Sequence, residues 1–172
     1  MRKFFVLYNI FIILLIYGQI MNDNEIKKMS LEIHETKDIV DSHVNGNLMV
    51  IWRDWDKFLK NDPKMIYITS VNSGEKKGPH VHTIRDSYFV CIRGKVVFII
   101  KNKNGNYDEI ESSEENPVMV HIPKNIPSAH INLSTQSSSV LALATHSWKP
   151  NDNEMHNVSF DDYDWAKWKN IS

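Results

Sequence analysis

The run KVVFIIK, residues 95–101, constrains the fold more than any other part of the chain. Five apolar residues in a row between two lysines leave no polar face. In a strand, Val96, Phe98 and Ile100 would point one way and Val97 and Ile99 the other. Such a strand is expected where its sheet is sandwiched between two layers. The runs around it are short and β-prone. LEIHETKDIV, NGNLMVIWRDWDKF and KMIYITSV precede it, and VMVHIP, SAHINL and SVLALAT follow. Turn residues separate them, among them Asn45-Gly46, Asn61-Asp62-Pro63 and the hairpin signal Asn104-Gly105. Helical periodicity of useful length is absent, and only DDYDWAKWK near the end can hold a short helix, with Asp161 as its cap. The expected class is all-β, a sandwich or jelly roll with a short C-terminal helix.

Length and charge narrow the function classes. The 172 residues suit one domain with a real core, and 42% hydrophobic with 24% charged residues is the balance of a soluble globular protein. A formal net charge of −1 with no basic run gives no electrostatic footprint for nucleic acid. The one cysteine, Cys91, sits in an apolar strand-like run, which excludes an internal disulfide and a thiolate metal site and marks it as a small buried residue.

The N-terminus departs from this picture. Arg2 and Lys3 precede the apolar run Phe4–Tyr17, which is short for a membrane span and about right for the core of a secretory signal. Gly18–Met21 lacks small residues at the cleavage spacing, so residues 1–20 are read either as signal-like or as lying outside the mature protein, with translation starting at Met21 or Met29. Residues 21–30 read as a flexible lead-in and residues 31–172 as the single domain, cytoplasmic, with export as the alternative if the signal-like segment is used, and without stable membrane insertion.

The chemistry centres on GEKKGPHVHTIRDSYFVCIRG, residues 74–94. His80 and His82 are two apart in a β context, so both imidazoles should face one side of a sheet. Gly74, His80, His82, Asp86 and Gly94 resemble the first motif of the cupin superfamily, with aspartate in place of glutamate and one extra residue before Gly94. Val120–Ser134, VHIPKNIPSAHINLS, resembles the second: Pro123 and Asn132 fall into place and Asn125 stands for a turn glycine. The motif's histidine position is Ser128, and the nearest histidine, His130, is one strand repeat further on. The resemblance implies a cupin-type double-stranded β-helix. A metal-binding member would use His80, His82, Asp86 and His130 for iron, manganese or zinc.

Over Asp41–Trp165 the chain also resembles the sugar-nucleotide branch of the cupins, the dTDP-4-dehydrorhamnose 3,5-epimerases and their relatives. The carrying segments are HVNGNLMVIWRDWD, KKGPHVH, CIRGKVVFII, IPKNIPSAHINLS and HSWKPNDNEMHNVSFDDYDW. This implies cofactor-free epimerisation or isomerisation of a nucleotide-linked 4-keto-6-deoxy sugar, in carbohydrate biosynthesis of the lipopolysaccharide kind, by a homodimer. By the same resemblance His80 is the general base, Asp161 or Asp162 the carboxylate paired with it, and Lys77 a diphosphate contact. Two positions depart from the epimerases: Trp148 stands where they have an acidic tyrosine, and Ser87 where they have a lysine. The HxH pair His80 and His82 is closer to that of sugar 3,4-ketoisomerases, with Tyr67 and Tyr88 as substitute acids; a metal-dependent or non-catalytic small-molecule cupin is the reading from another class.

Arg53, Arg85 and Arg93 are candidate phosphate grips, and His130 and Trp148 candidate substrate contacts. For the five tryptophans, core or interface packing is the default role; for His34 and His43 it is solvated surface, and for His121, His146 and His156 surface or core.

Overall fold

The computed structural model describes residues 25–168, so the signal-like reading of residues 1–20 lies outside the described residues. Twelve strands run in chain order: β1 Lys27–Ser30, β2 Ile33–Lys37, β3 Val44–Met49, β4 Met65–Val71, β5 Lys76–His82, β6 Ser87–Arg93, β7 Lys95–Lys101, β8 Tyr107–Ser113, β9 Val118–Ile122, β10 Ser128–Asn132, β11 Ser138–Ala144 and β12 Met155–Asn157. Ten of them form two five-stranded antiparallel sheets, ordered β1-β9-β6-β11-β4 and β12-β5-β10-β7-β8, and β2 and β3 pair as a separate arm. Strands adjacent in sequence mostly lie in opposite sheets, as in a jelly roll.

Strand β7 behaves as its composition requires. Val96, Phe98 and Ile100 enter the core between the sheets, with Val71, Cys91, Val120, Ile122, Ile126 and Val140. Val97 and Ile99 face outward and are covered by the C-terminal segment, which lays Phe160 and Tyr163 over them. Each such side chain, fully buried, contributes about 1.5–3 kcal/mol. The other sheet is covered in the same way. Residues after β3, read from sequence as a continued strand, instead turn irregular and place Leu59 and Phe58 against Tyr88, Val90 and Leu143. With the middle of both outer faces covered, the space between the sheets is left to be filled or kept open.

Three local expectations need correction. The lead-in is partly ordered: Lys27–Ser30 pairs antiparallel with β9, which gives that sheet its outer strand. The C-terminal helix is a single 3-10 turn, Trp165–Trp168, and its cap is Asp164, whose Oδ1 accepts the Ala166 N–H at 2.9 Å; Asp161 instead accepts from Ser159. The short strand β12, which pairs with β5, was hidden in the polar C-terminal stretch. The turn chemistry fared better: Asn125 takes φ 64° and Gly105 φ 82°. Among the described residues no helix is long and apolar enough to cross a membrane.

Candidate active site between the sheets

A cavity of about 440 Å³ opens between the two sheets. Its polar wall comes from β5, where Lys77, His80 and His82 all point inward. Simple alternation would send Lys77 to the opposite face from the histidines. The register explains why it does not: Ser128 of β10 pairs with His80, but His130 pairs with Lys77, so two steps on β10 answer three on β5. That bulge re-aims the strand. Its pivot is Gly78, at φ +88°, where an added Cβ would stand 2.7 Å from the Ser128 carbonyl oxygen. No other residue fits there without moving β10.

The two histidines have different partners. The Nδ1–H of His80 donates to Asn157 Oδ1 at 2.9 Å, which leaves Nε2 as the acceptor of the ring. The Nδ1 of His82 lies 3.0 and 3.1 Å from the two oxygens of Glu154. On its other side, Arg85 Nη2 approaches His82 Nε2 at 3.3 Å. A guanidinium only donates and a carboxylate only accepts, so His82 is neutral, with its proton on Nδ1. Burial first, and then the Arg85 charge, hold its pKa below the ordinary value, against the pull of Glu154. Arg85 and Glu154 are themselves buried, at 6% and 2% exposure, with Nε and Oε1 3.4 Å apart; this is an ion pair without an aligned hydrogen bond at Nε.

Across from β5, strand β4 contributes Tyr67 and Thr69. Lys77 Nζ donates to Thr69 Oγ1 at 2.6 Å. Burial raises the Tyr67 pKa, with Arg85 opposing, so the phenol keeps its proton as a donor. The Arg85 guanidinium sits 5.7 Å from the Tyr67 ring. His130 and Ser128 come from β10, while Met65, Phe89, Phe98, Met155 and the rim residue Trp148 make the apolar side.

Of the residues singled out from sequence, Tyr67, Lys77, His80, His82, Arg85, His130 and Trp148 meet in this cavity. Others do not. Asp161 and Asp162 do not pair with His80: the chain crosses the outer face of the sheet after β12, and Asp162 is held there by Lys101 and Tyr107. Asp86 turns away from the histidines, accepting from His121 Nε2 at 3.2 Å and from the Lys124 N–H at 2.9 Å. Arg85, one residue earlier, turns in instead. The set His80, His82, Asp86 and His130 therefore does not converge as metal ligands, and the Arg85 cation stands where His82 would coordinate. Arg53 pairs with Glu32 and Asp56 outside the cavity, and Arg93 ends β6 at the far end from Phe89. Tyr88 accepts from the Lys60 N–H and stacks on His121, away from the site. Glu154 and Asn157 were missed as histidine partners; the signal was a carboxylate and an amide in the segment just before and within β12, the strand that pairs with β5.

A model of the FdtA family, described as WxcM-like, C-terminal, matches residues 29–164. No curated protein matches the chain. Among solved structures, the dTDP-4-dehydrorhamnose 3,5-epimerase from Sulfolobus tokodaii is 18% identical, over 81% of this chain and 80% of that one, with a TM-score of 0.66. A 3,4-ketoisomerase from Helicobacter canadensis is 19% identical over 77% and 90%, with a TM-score of 0.61. The capsular polysaccharide assembling protein CapF from Staphylococcus aureus is 20% identical over 57% of this chain, with a TM-score of 0.53, and this chain spans only 29% of its length. At these identities the likeness is one of fold, the cupin-type jelly roll expected from the two histidine motifs. The family match is broader in what it encloses, since it runs from β1 through both histidines, Glu154 and the outer strap, and by it the chain belongs to the FdtA family, WxcM-like, C-terminal.

Proposed function

We propose that the chain isomerises a nucleotide-linked 4-keto-6-deoxy sugar by enolisation, moving the ketone between C4 and C3. The observation that carries this reading is the pair His80 and His82 on one wall of the cavity, each with its Nδ1 proton held by a partner. A ketone at C4 acidifies the C3 proton. His80 Nε2 takes that proton, the C3–H electrons form the C3=C4 double bond, and the charge moves to the C4 oxygen. Tyr67, kept protonated by burial, and Arg85 supply donors for that oxygen. The 3-hydroxyl proton passes to the C4 oxygen on the adjacent carbon, and His80 returns its proton to C4 as the C3 carbonyl forms. The carbons are adjacent, so one imidazole serves both.

Isomerisation is favoured over 3,5-epimerisation by Trp148. An indole at the cavity rim has no acidic proton to deliver to the far face of the sugar, and Asp161 and Asp162, the carboxylates expected to support the base, lie outside the sheet. Relatives in the same fold include both activities by name, a 3,4-ketoisomerase and a dTDP-4-dehydrorhamnose 3,5-epimerase. The proposed chemistry uses side chains alone, and Lys77 is the cation for the diphosphate. A second copy has a place to dock as well: β4 is an edge strand of its sheet, and Ile66 and Ile68 on it are 60% and 59% exposed. Sedimentation equilibrium at micromolar concentration tests that dimer, and a monomer there removes it.

The test of function is incubation with dTDP-4-keto-6-deoxyglucose in deuterium oxide, followed by proton NMR with and without chelator. Isomerisation predicts a new 3-keto product and loss of the C3 signal, both dependent on His80 and indifferent to chelator. Loss of the C5 signal would replace this reading with epimerisation, and chelator-sensitive turnover would replace the metal-free mechanism.

A further inference from the structure

His130 is an imidazole of the cavity that the proposed reaction leaves unused. It stands on β10 opposite Lys77 of β5 and opposite Phe98 of β7, with its ring 5.7 Å from the phenyl ring. One repeat earlier on the same strand, Ser128 stands opposite His80. The Nε2 of His130 is buried and has no hydrogen-bond partner. An orphaned buried nitrogen costs about 1–3 kcal/mol, so a phenyl or methionine side chain would serve better if the position only filled space. Burial first, and then the nearby Lys77 and His80, push its pKa down to about 4. The ring is therefore neutral at ordinary pH, able to donate through one nitrogen and accept through the other, and has no charge to offer a phosphate.

The placement of this neutral group relative to its neighbours is informative once the ketosugar reading above is taken as its basis. Lys77, on the diphosphate, marks the C1 side of the hexose, and His80 marks C3. The C2 substituent lies between them on the ring. His130 is the side chain that neighbours both Lys77 and His80. We infer that His130 reads the C2 hydroxyl of the sugar, and that the cavity selects 2-hydroxy over 2-deoxy hexoses. A hydroxyl satisfies the orphaned nitrogen. A C2 without one leaves it buried and unpaired, which is the situation in which enzymes discriminate most strongly.

The experiment compares dTDP-4-keto-6-deoxyglucose with its 2-deoxy analogue, reading C3 exchange in deuterium oxide as kcat/KM, for the wild type, His130→Phe and His130→Gln. The wild type is expected to favour the hydroxylated substrate by at least about 100-fold, and His130→Phe to reduce the ratio of the two rates to within about threefold. His130→Gln, which keeps a donor and an acceptor, should restore part of the preference. Equal rates on the two substrates by the wild type overturn the inference, whatever the variants do. So does full discrimination retained by His130→Phe, with a melting temperature no lower than that of the wild type. A wild type that exchanges a proton from neither sugar overturns the ketosugar reading, and this inference with it.

Discussion

The two ends of the space between the sheets are built from the same strands and finished in opposite ways. At one end β4, β6, β10 and β11 bring Val71, Cys91, Asn132 and Val140 together. The polar groups there are fully used: Asn132 donates to the Val71 and Gln136 carbonyls and accepts from the Ser134 N–H and the Ser138 hydroxyl. The Cys91 thiol points at the Arg93 and Gly94 carbonyls, and burial pushes its pKa up to about 11, so it is inert. At the other end the same strands hold Tyr67, Phe89 and His130 around a hollow, and a buried nitrogen is left without a partner. A closed polar network stabilises; an open one leaves hydrogen-bonding groups unsatisfied. The difference lies in what is left unpaired, since both ends are rich in polar atoms.

Breaking each end should therefore give different symptoms. The largest effect belongs to the open end: His80→Ala should lower the exchange rate by about 10²–10⁴-fold, with a melting temperature close to that of the wild type. A large thermal shift would mean that His80 holds the fold, and would blur the contrast. Glu154→Ala comes next. It strands Arg85 as a buried cation and should cost about 3–5 kcal/mol in urea unfolding, whereas a cost under about 1 kcal/mol would show the pair to be solvated.

The orphaned histidine predicts a pH dependence. The folded pKa of His130, about 4, lies below the ordinary value of 6.5, so the unfolded chain binds the proton more readily. Its contribution is full above pH 6.5 and is lost as pH falls toward 4. Denaturation measured across that window should show on the order of 3 kcal/mol of lost stability that His130→Phe lacks. At the closed end, Asn132→Leu should cost about 2 kcal/mol through its stranded partners and leave the kinetics of the folded fraction unchanged. The smallest effect on stability, within about 0.5 kcal/mol, is expected for Trp148→Tyr at the rim. It restores a phenol at the position of the epimerase acid, and exchange at C5 appearing only in this variant would sharpen the case that Trp148 sets the outcome.

Most of the fold was legible because its signals are local. The two-faced apolar run of β7, the turn residues Asn104-Gly105 and Asn125, and the HxH spacing each act within a few residues. For the displaced histidine, the strand repeat left the cavity side open as one option, and the structure puts His130 there with Ser128. The partners of the histidines were a different matter. Asp161 and Asp162 match a family position by sequence, but the strap that carries them crosses the outside of the sheet, because Phe160 and Tyr163 beside them bury against Val97 and Ile99.

What the amino-acid order determined by itself is thus the jelly roll and a wall with two histidines, both consequences of strand periodicity and turn chemistry. Tertiary structure alone decided what those histidines touch. Pairing of β12 with β5 brings Glu154 to His82 and Asn157 to His80 across more than seventy residues of chain. The corner after β5 turns Arg85 in and Asp86 out, and the bulge at Gly78 puts Lys77 on the same wall. Contacts between strands distant in sequence leave no periodic trace, so no reading of the chain alone could have assigned them.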